Sequence, residues 1–227
     1  MKRLAELKDF HKGKRAFIIG NGPSLRQTDL SKLKNEFTFG LNRIYLIFPE
    51  LGFHTTYFVT VNDLVIEQCK DDILALPMPK FLSWRTHHIF PSGRAPATFL
   101  YTTYDNPAFA RDVRHRVWES ATVTYVALQL AFHMGFEQVI LIGVDHTSNV
   151  PGKANTTIVS PGDDPNHFNP VYFGKGFRWQ LPDFETSEIG YRLARQIYEA
   201  DGRQVLDATI GGKLTIFPKV EYSTLFK

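Results

Sequence analysis

Short apolar runs alternate with segments of helical period along the chain. Arg15-Ala-Phe-Ile-Ile19 is apolar until Gly20 stops it, and Phe37–Leu41, Tyr57–Val61 and Lys80–Trp84 are further β-rich runs. Runs that are apolar throughout, rather than alternating, belong to strands covered on both faces. Between them, Asp29–Lys34 reads as a short helix and Asp63–Leu76 as a longer one, closed by Pro77 and Pro79. The clearest helix spans about Ser120 to Met134. Val123, Val126, Ala127, Leu130, Ala131 and Met134 fall on one apolar face, and Gly135 stands where a C-terminal cap glycine belongs. Gln138–Ile142 follows as the strongest strand, ending in Gly143-Val144-Asp145. A last helix, Asp183–Ala200, places Ile189, Leu193 and Ile197 on one stripe, and Gln204–Leu206 is a short final strand.

Strands that alternate with helices predict an α/β fold: a single Rossmann-like domain with a mostly parallel sheet and helices on both faces. The organisation reads as an arm or helix over residues 1–14, the domain over 15–209, and an extended tail over 210–227 packed on the surface. Residues 85–118 are rich in His, Pro, Arg and aromatics and show no period. Residues 146–182 are Pro- and Gly-rich yet carry Phe168, Tyr172, Phe173, Phe177 and Trp179. A loop of that length in a compact domain is usually functional, and its aromatics argue for a lid rather than disorder.

Composition narrows this picture without changing it. The 227 residues are 43% hydrophobic and 22% charged, enough to bury a core without staples. One cysteine, Cys69, excludes a disulfide framework and a multi-cysteine zinc site. The net charge of +3 excludes a dedicated nucleic-acid platform, yet leaves room for a locally basic pocket suited to a nucleotide phosphate. No apolar run reaches the ~18 residues of a membrane span, and the first residues lack the apolar centre of a signal peptide, so a cytoplasmic protein is expected.

In open α/β sheets, ligands bind beyond the carboxyl ends of the strands. The unusual polar residues sit there. Gly20-Asn21-Gly22-Pro23-Ser24-Leu25 follows the first strand. Its glycines let backbone approach a ligand, and Ser24 can donate to a phosphate or cap the next helix; a plain strand-to-helix turn reads equally well. It is neither the G-x-G-x-x-G fingerprint nor a Walker A loop. Asn42-Arg43 ends the second strand and Asn62-Asp63 the third. Each Asn alone is a turn or cap residue, but three at successive strand ends point to a shared site for a nucleobase or ribose edge. Gly143, Asp145 and His146 end the strongest strand; Asp145 orients a His, holds a metal or caps a loop. Of the eight histidines, His87-His88 lacks a carboxylate at ligand spacing, and His133, on the long helix, packs or faces solvent. His146 and His167 are placed to act as base or acid.

The run Phe17–Leu25, followed by Asn42-Arg43, resembles the opening of a Rossmann-like superfamily. So does Thr122–Ala131, leading into Met134-Gly135-Phe136 and Leu141–Asp145. The superfamily includes 6-hydroxymethylpterin diphosphokinase-like proteins, bacterial sialyltransferases and flagellin nonulosonic-acid glycosyltransferases. The resemblance covers most of residues 15–146. It implies that Asn21, Asn42 and Asn62 contact a CMP-sugar donor, with Ser24 near its phosphate and Thr122 to Thr124 approaching it. Gly20, Gly22, Pro23, Arg43, Asp63, Gly143, Asp145 and His146 complete the implied nucleotide site. His167 with Tyr172 is the implied catalytic pair, and Tyr172 or Arg43 would stabilise the leaving phosphate. Ile142 stands where the sialyltransferases carry Ser, which loosens a strict CMP-sialic acid preference.

The resulting expectation is a nucleotide-sugar-dependent glycosyltransferase of bacterial surface glycan synthesis, with a nucleotide-sugar donor, a glycan acceptor and no required cofactor. A homo-oligomer is compatible with it. The alternative is a diphosphokinase using Mg and ATP, with Asp63 and Asp145 at neighbouring strand ends as the magnesium carboxylates.

Overall fold

The apolar runs pair side by side. In the computed structural model, which describes residues 2–90 and 97–226, β1 (Arg15–Ile19) lies between β2 (Phe37–Leu41) and β7 (Gln138–Ile142). Beyond β2 follow β3 (Tyr57–Thr60), β4 (Lys80–Ser83), β5 (Ala97–Thr103) and β6 (Arg116–Trp118); beyond β7 lies β10 (Gln204–Asp207). All pairings in this eight-stranded sheet are parallel. The chain therefore walks outward from β1 to β6, then returns past β1 to form β7. The direction of winding reverses between β1 and β7, the topological switch point of the sheet.

Successive residues of each strand serve opposite cores. Ala16, Ile18, Phe39, Val139 and Leu141 pack with α4 (Val123–His133) and α5 (Phe184–Ala200). Phe17, Ile19, Phe58, Ile140 and Ile142 pack on the other face with Val65 and Ile66 of α3 (Asp63–Ala75). That double burial is why the strands are apolar throughout. The two short helices, α1 (Lys2–Leu7) and α2 (Phe48–Leu51), fill the periphery.

The structure departs from the sequence pattern in five places. Asp29–Lys34 holds a 3-10 turn over Leu30–Leu33, capped by the Asp29 carboxylate, not an α-helix. The patternless 85–118 stretch contains β5 and β6. β5 alternates in burial, and its inward residues include Thr98 and Thr102, so its apolar signal is diluted. Residues 91–96 of that stretch lie outside the described residues. From Thr124 to His133, α4 is buried on every side, not along one face, because the sheet, α5 and the 105–118 segment enclose it. Its Gln129 closes the last contact, accepting from Ala110 N and Trp118 N at 2.9 and 3.2 Å. The expected stripe on α5 is rotated: Ile189 is exposed, while Gly190, Tyr191, Ala194 and Tyr198 are buried. The tyrosines bury more area than isoleucine, and Gly190 lets Ser120 approach to where a Cβ would lie 2.4 Å from its Oγ. Finally, the 146–182 loop contains an antiparallel ribbon, β8 (Thr157–Val159) with β9 (Arg178–Gln180), and buries Phe168, Tyr172, Phe173 and Trp179 in the second core.

The termini are tied to this frame. The tail buries Leu214, Ile216, Phe217 and Tyr222 and ends in a 3-10 turn, Tyr222–Phe226, whose Phe226 stacks on Phe17. In the N-terminal arm, buried His11 stacks on Phe136 and shares a 2.6 Å hydrogen bond with the Tyr57 hydroxyl. Burial lowers the His11 pKa. The unfolded chain therefore binds this proton first as pH falls, and stability is lost as pH drops through the ordinary histidine range near ~6.5. Thermal unfolding of His11→Phe, which keeps the aromatic stack, should show a smaller loss of Tm between pH 7.5 and 5.5 than the parent protein. Equal losses would remove His11 as a source of the acid sensitivity.

Candidate functional site

Close backbone approach builds the switch point. Gly20 N–H donates to Ile142 O, and Gly22 N–H to Gly143 O, both at 2.8 Å. A Cβ on Gly20 would lie 2.3 Å from Gly143 O, and one on Gly22 only 1.7 Å from Asp145 Oδ2. No residue with a side chain fits either place without displacing its neighbour. Asp145 fixes the turn after β1, accepting from Ser24 N at 3.1 Å and Ser24 Oγ at 2.7 Å. Of the readings open for Asp145, the structure thus shows the loop cap.

A small cavity of about 200 Å³ opens above this turn, and a cleft of about 870 Å³ adjoins it. Gly20, Asn21, Gly22, Thr124, Gly143, Asp145, His146 and Tyr172 line the small cavity. Asn62 and Asp63 line the large one. Asn42, Thr122 and His167 line both. Pro23, Ser24 and Arg43 line neither.

The three asparagines follow three spatially adjacent strands, and each has one side-chain atom bonded within the fold. Asn21 Nδ2 donates to Leu41 O at 3.1 Å, which leaves Oδ1 buried and without a partner. Asn42 Oδ1 accepts from Thr60 Oγ1 at 2.9 Å. Asn62 Oδ1 caps α3 by accepting from Val65 N at 3.1 Å. Turn-and-cap and shared-site readings are thus both present in the same residues.

Backbone strain concentrates here as well. Asn42, Ser120, Ala121, His146 and Asn155 are non-glycine residues with φ between 43° and 63°, and all five line the two cavities. Such residues persist only where their surroundings enforce them, and they cluster at functional sites. Ser120 and Ala121 deliver the chain to Thr122, whose hydroxyl caps α4 by accepting from Thr124 N.

His167 stands between the cavities and is held on two sides. Its Nδ1 lies 2.7 Å from Asp164 Oδ2, and its ring stacks on Tyr172 at 3.9 Å. Asp164 is buried and also accepts from the amides of Asn166 and Phe173. Burial pushes the Asp164 carboxyl up, but His167 and these amides outweigh it and hold the group below its ordinary value. A carboxylate can only accept, so Nδ1 carries the proton, and in the neutral imidazole Nε2 is the nitrogen that bears the lone pair. Across the small cavity, His146 Nε2 lies 3.1 Å from Glu188 Oε1, and this hydrogen bond lowers the Glu188 pKa. Burial raises the Tyr172 pKa, so its hydroxyl stays protonated.

Three expectations change. Arg43 does not face a leaving phosphate. Its guanidinium donates to the carbonyls of Val171 and Tyr172 and lies 5.1 Å from the Phe177 ring centroid, tethering the aromatic loop. The pocket is not basic: among the described residues, no Lys or Arg lines either cavity. Asp63 and Asp145 do not sit at neighbouring strand ends. β1 and β2 separate β3 from β7, an offset of about 14 Å at ~4.8 Å per strand. Asp63 is held by Arg85 (Nε to Oδ2, 3.1 Å; Nη2 to Oδ1, 3.0 Å), as Asp145 is by Ser24. The two carboxylates therefore do not fit one magnesium ion.

Sequence reasoning also missed residues. Asp164, three positions before His167, was legible as a neighbour but not as its partner. Glu188 is 42 residues from His146. Nothing local marks Arg85, which joins Asp63 to Glu119 beneath the cleft, Glu119 accepting at 2.6 Å.

The architecture defines a Rossmann-like α/β protein whose strand-end cleft meets an oriented His–Asp pair. Residues 1–150 match the family described as 6-hydroxymethylpterin diphosphokinase MptE-like, and the chain belongs to that MptE-like family. Both motif runs that carry the superfamily resemblance fall inside the matched span. Among solved structures, the MAf glycosyltransferase from Magnetospirillum magneticum AMB-1 shares the fold, with a TM-score of 0.55 at 14% identity over 97% of this chain. The chain spans 38% of the length of that glycosyltransferase. No curated protein matches the sequence.

Proposed function

We propose that the protein is a transferase that moves a sugar from a nucleotide donor to an acceptor hydroxyl, with His167 as general base. The carrying observation is the position of His167 on both cavities, its Nδ1 fixed by buried Asp164 at 2.7 Å. The donor occupies the switch-point cavity, where the glycines admit it and Asn21 and Asn42 meet its nucleoside. The acceptor enters from the larger cleft. As the acceptor oxygen attacks the anomeric carbon, Nε2 takes its proton and the nucleotide phosphate leaves. With no Lys or Arg lining the cavities among the described residues, the leaving charge falls to the Thr122 and Thr124 hydroxyls and the first amide of α4. The resemblance of Asn21 and Asn42 to sialyltransferase donor contacts favours a CMP-activated sugar and a role in bacterial surface glycan synthesis, whereas Asn62, which lines the cleft alone, falls on the acceptor side. The fold shared with a glycosyltransferase is consistent with this reading. Calorimetry with CMP, CDP, UDP and ATP tests it. Cytidine nucleotides should bind, and binding confined to ATP, or absent for every cytidine and uridine nucleotide, rejects it.

A further inference from the structure

We propose that the 870 Å³ cleft is an acceptor site selective for a neutral, polyhydroxylated sugar ring, with Trp179 and Asn166 as its hydrogen-bond donors. The assignment of the bound sugar as acceptor rests on the transferase reading above; the binding chemistry does not.

Two unpartnered donors point to a ligand. Trp179 is 8% exposed and lines the cleft, and its Nε1–H has no acceptor in the protein. Asn166 lines the same cleft. Its Oδ1 accepts from Asn149 N at 2.7 Å, which fixes the amide orientation and leaves Nδ2 buried without an acceptor. A buried donor without an acceptor is costly, so two around one cleft describe a site completed by a ligand that supplies oxygen acceptors.

Charge decides which oxygens. Asp63, Glu119 and Asp183 line the cleft, and among the described residues no Lys or Arg does. Arg85 pairs with Asp63 and Glu119, leaving the carboxylates in excess. A carboxylate or phosphate ligand would meet this negative field unpaired, whereas hydroxyl and ring oxygens accept from Trp179 and Asn166 without that penalty. Sugar hydroxyls also donate, and the carboxylates and the side chains of Asn155 and Gln180 on the same walls supply acceptors.

Calorimetry without nucleotide tests the site, using methyl glycosides of glucose, galactose, mannose and N-acetylglucosamine beside methyl glucuronide and galacturonide. At least one neutral glycoside should bind, and its uronate at least tenfold more weakly. Trp179→Phe, which keeps the ring and removes the donor, should weaken the neutral sugar about tenfold, a loss of ~1.4 kcal/mol. Asn166→Asp should weaken it similarly, and circular dichroism with a cooperative thermal transition reports that both variants are folded. Uronates binding as tightly as neutral sugars, no neutral binding, or no effect of either folded variant overturns the proposal. Neutral sugar binding without any cytidine or uridine nucleotide binding would reject the transferase reading and leave this site standing. Nucleotide binding without sugar binding would do the reverse.

Discussion

Replacing His167 by alanine should lower turnover by about 10²–10⁴-fold, the usual contribution of a positioned general base. Donor binding should change little, because His167 meets the donor cavity from the side where the cleft joins it. The loss should therefore fall on kcat, with the Kd for a cytidine nucleotide by calorimetry close to that of the parent protein. Asp164→Asn separates position from chemistry. The amide still reaches Nδ1 but now offers a donor as well as an acceptor, and it no longer fixes which nitrogen holds the proton. It also removes the charge that stabilises the imidazolium formed during transfer, so kcat should fall substantially, though less than in His167→Ala. Tyr172→Phe preserves the stacked ring, 3.9 Å from His167, and should cost far less than either. If His167→Ala retains most of its turnover, the base lies elsewhere. His146, paired with Glu188, is then the next residue to replace.

The sequence shows the frame of this site more clearly than its chemistry. Strands buried on both faces produce unbroken apolar runs, so β1, β2, β3, β4, β7 and β10 are visible to within a residue or two. Their ends bring Gly20, Asn21, Gly22 and Asn42 to one place because the parallel sheet aligns all its carboxyl ends on one edge. What stays hidden depends on partners distant in the chain. Arg85 reaches Asp63 and Glu119 across 22 and 34 residues, and Glu188 reaches His146 across 42. β5 and β6 escape notice because threonines face inward on β5 and β6 is three residues long at the sheet edge. The aromatic loop lies beside the strand ends, yet Phe168, Tyr172 and Trp179 are built into the second core. Phe168 N–H also donates to Asn21 O at 2.9 Å, so the loop is part of the wall of the site.

Replacing Arg85 by methionine, which preserves most of the side-chain volume, should destabilise the fold by about 3 kcal/mol at pH 7. That is the lower end of the ~3–5 kcal/mol for removing one partner of a buried pair. The lower end applies because Asp63 is 37% exposed and solvent screens its share, whereas the Glu119 side chain is only 6% exposed. Burial already raises the Glu119 pKa, and Arg85 is the strongest of the groups that oppose the shift. Without Arg85 the carboxyl rises further. Between the unfolded and folded values, the folded state then holds the extra proton, so stability falls as pH rises through that window. Urea unfolding of Arg85→Met should accordingly show a smaller deficit at pH 5 than at pH 7. Adding Glu119→Gln should recover part of the pH 7 loss by removing the buried charge. The hydrogen bonds from Arg85 to Val61 O and Tyr104 Oη are lost at every pH, so the recovery should be incomplete. A deficit independent of pH and unrelieved by Glu119→Gln would mean that these neutral contacts, not the carboxylate pair, make Arg85 necessary. The same variant bears on the cleft above. It strips the guanidinium from Asp63 and Glu119, and a more negative wall should exclude anionic acceptors still more strongly than in the parent protein.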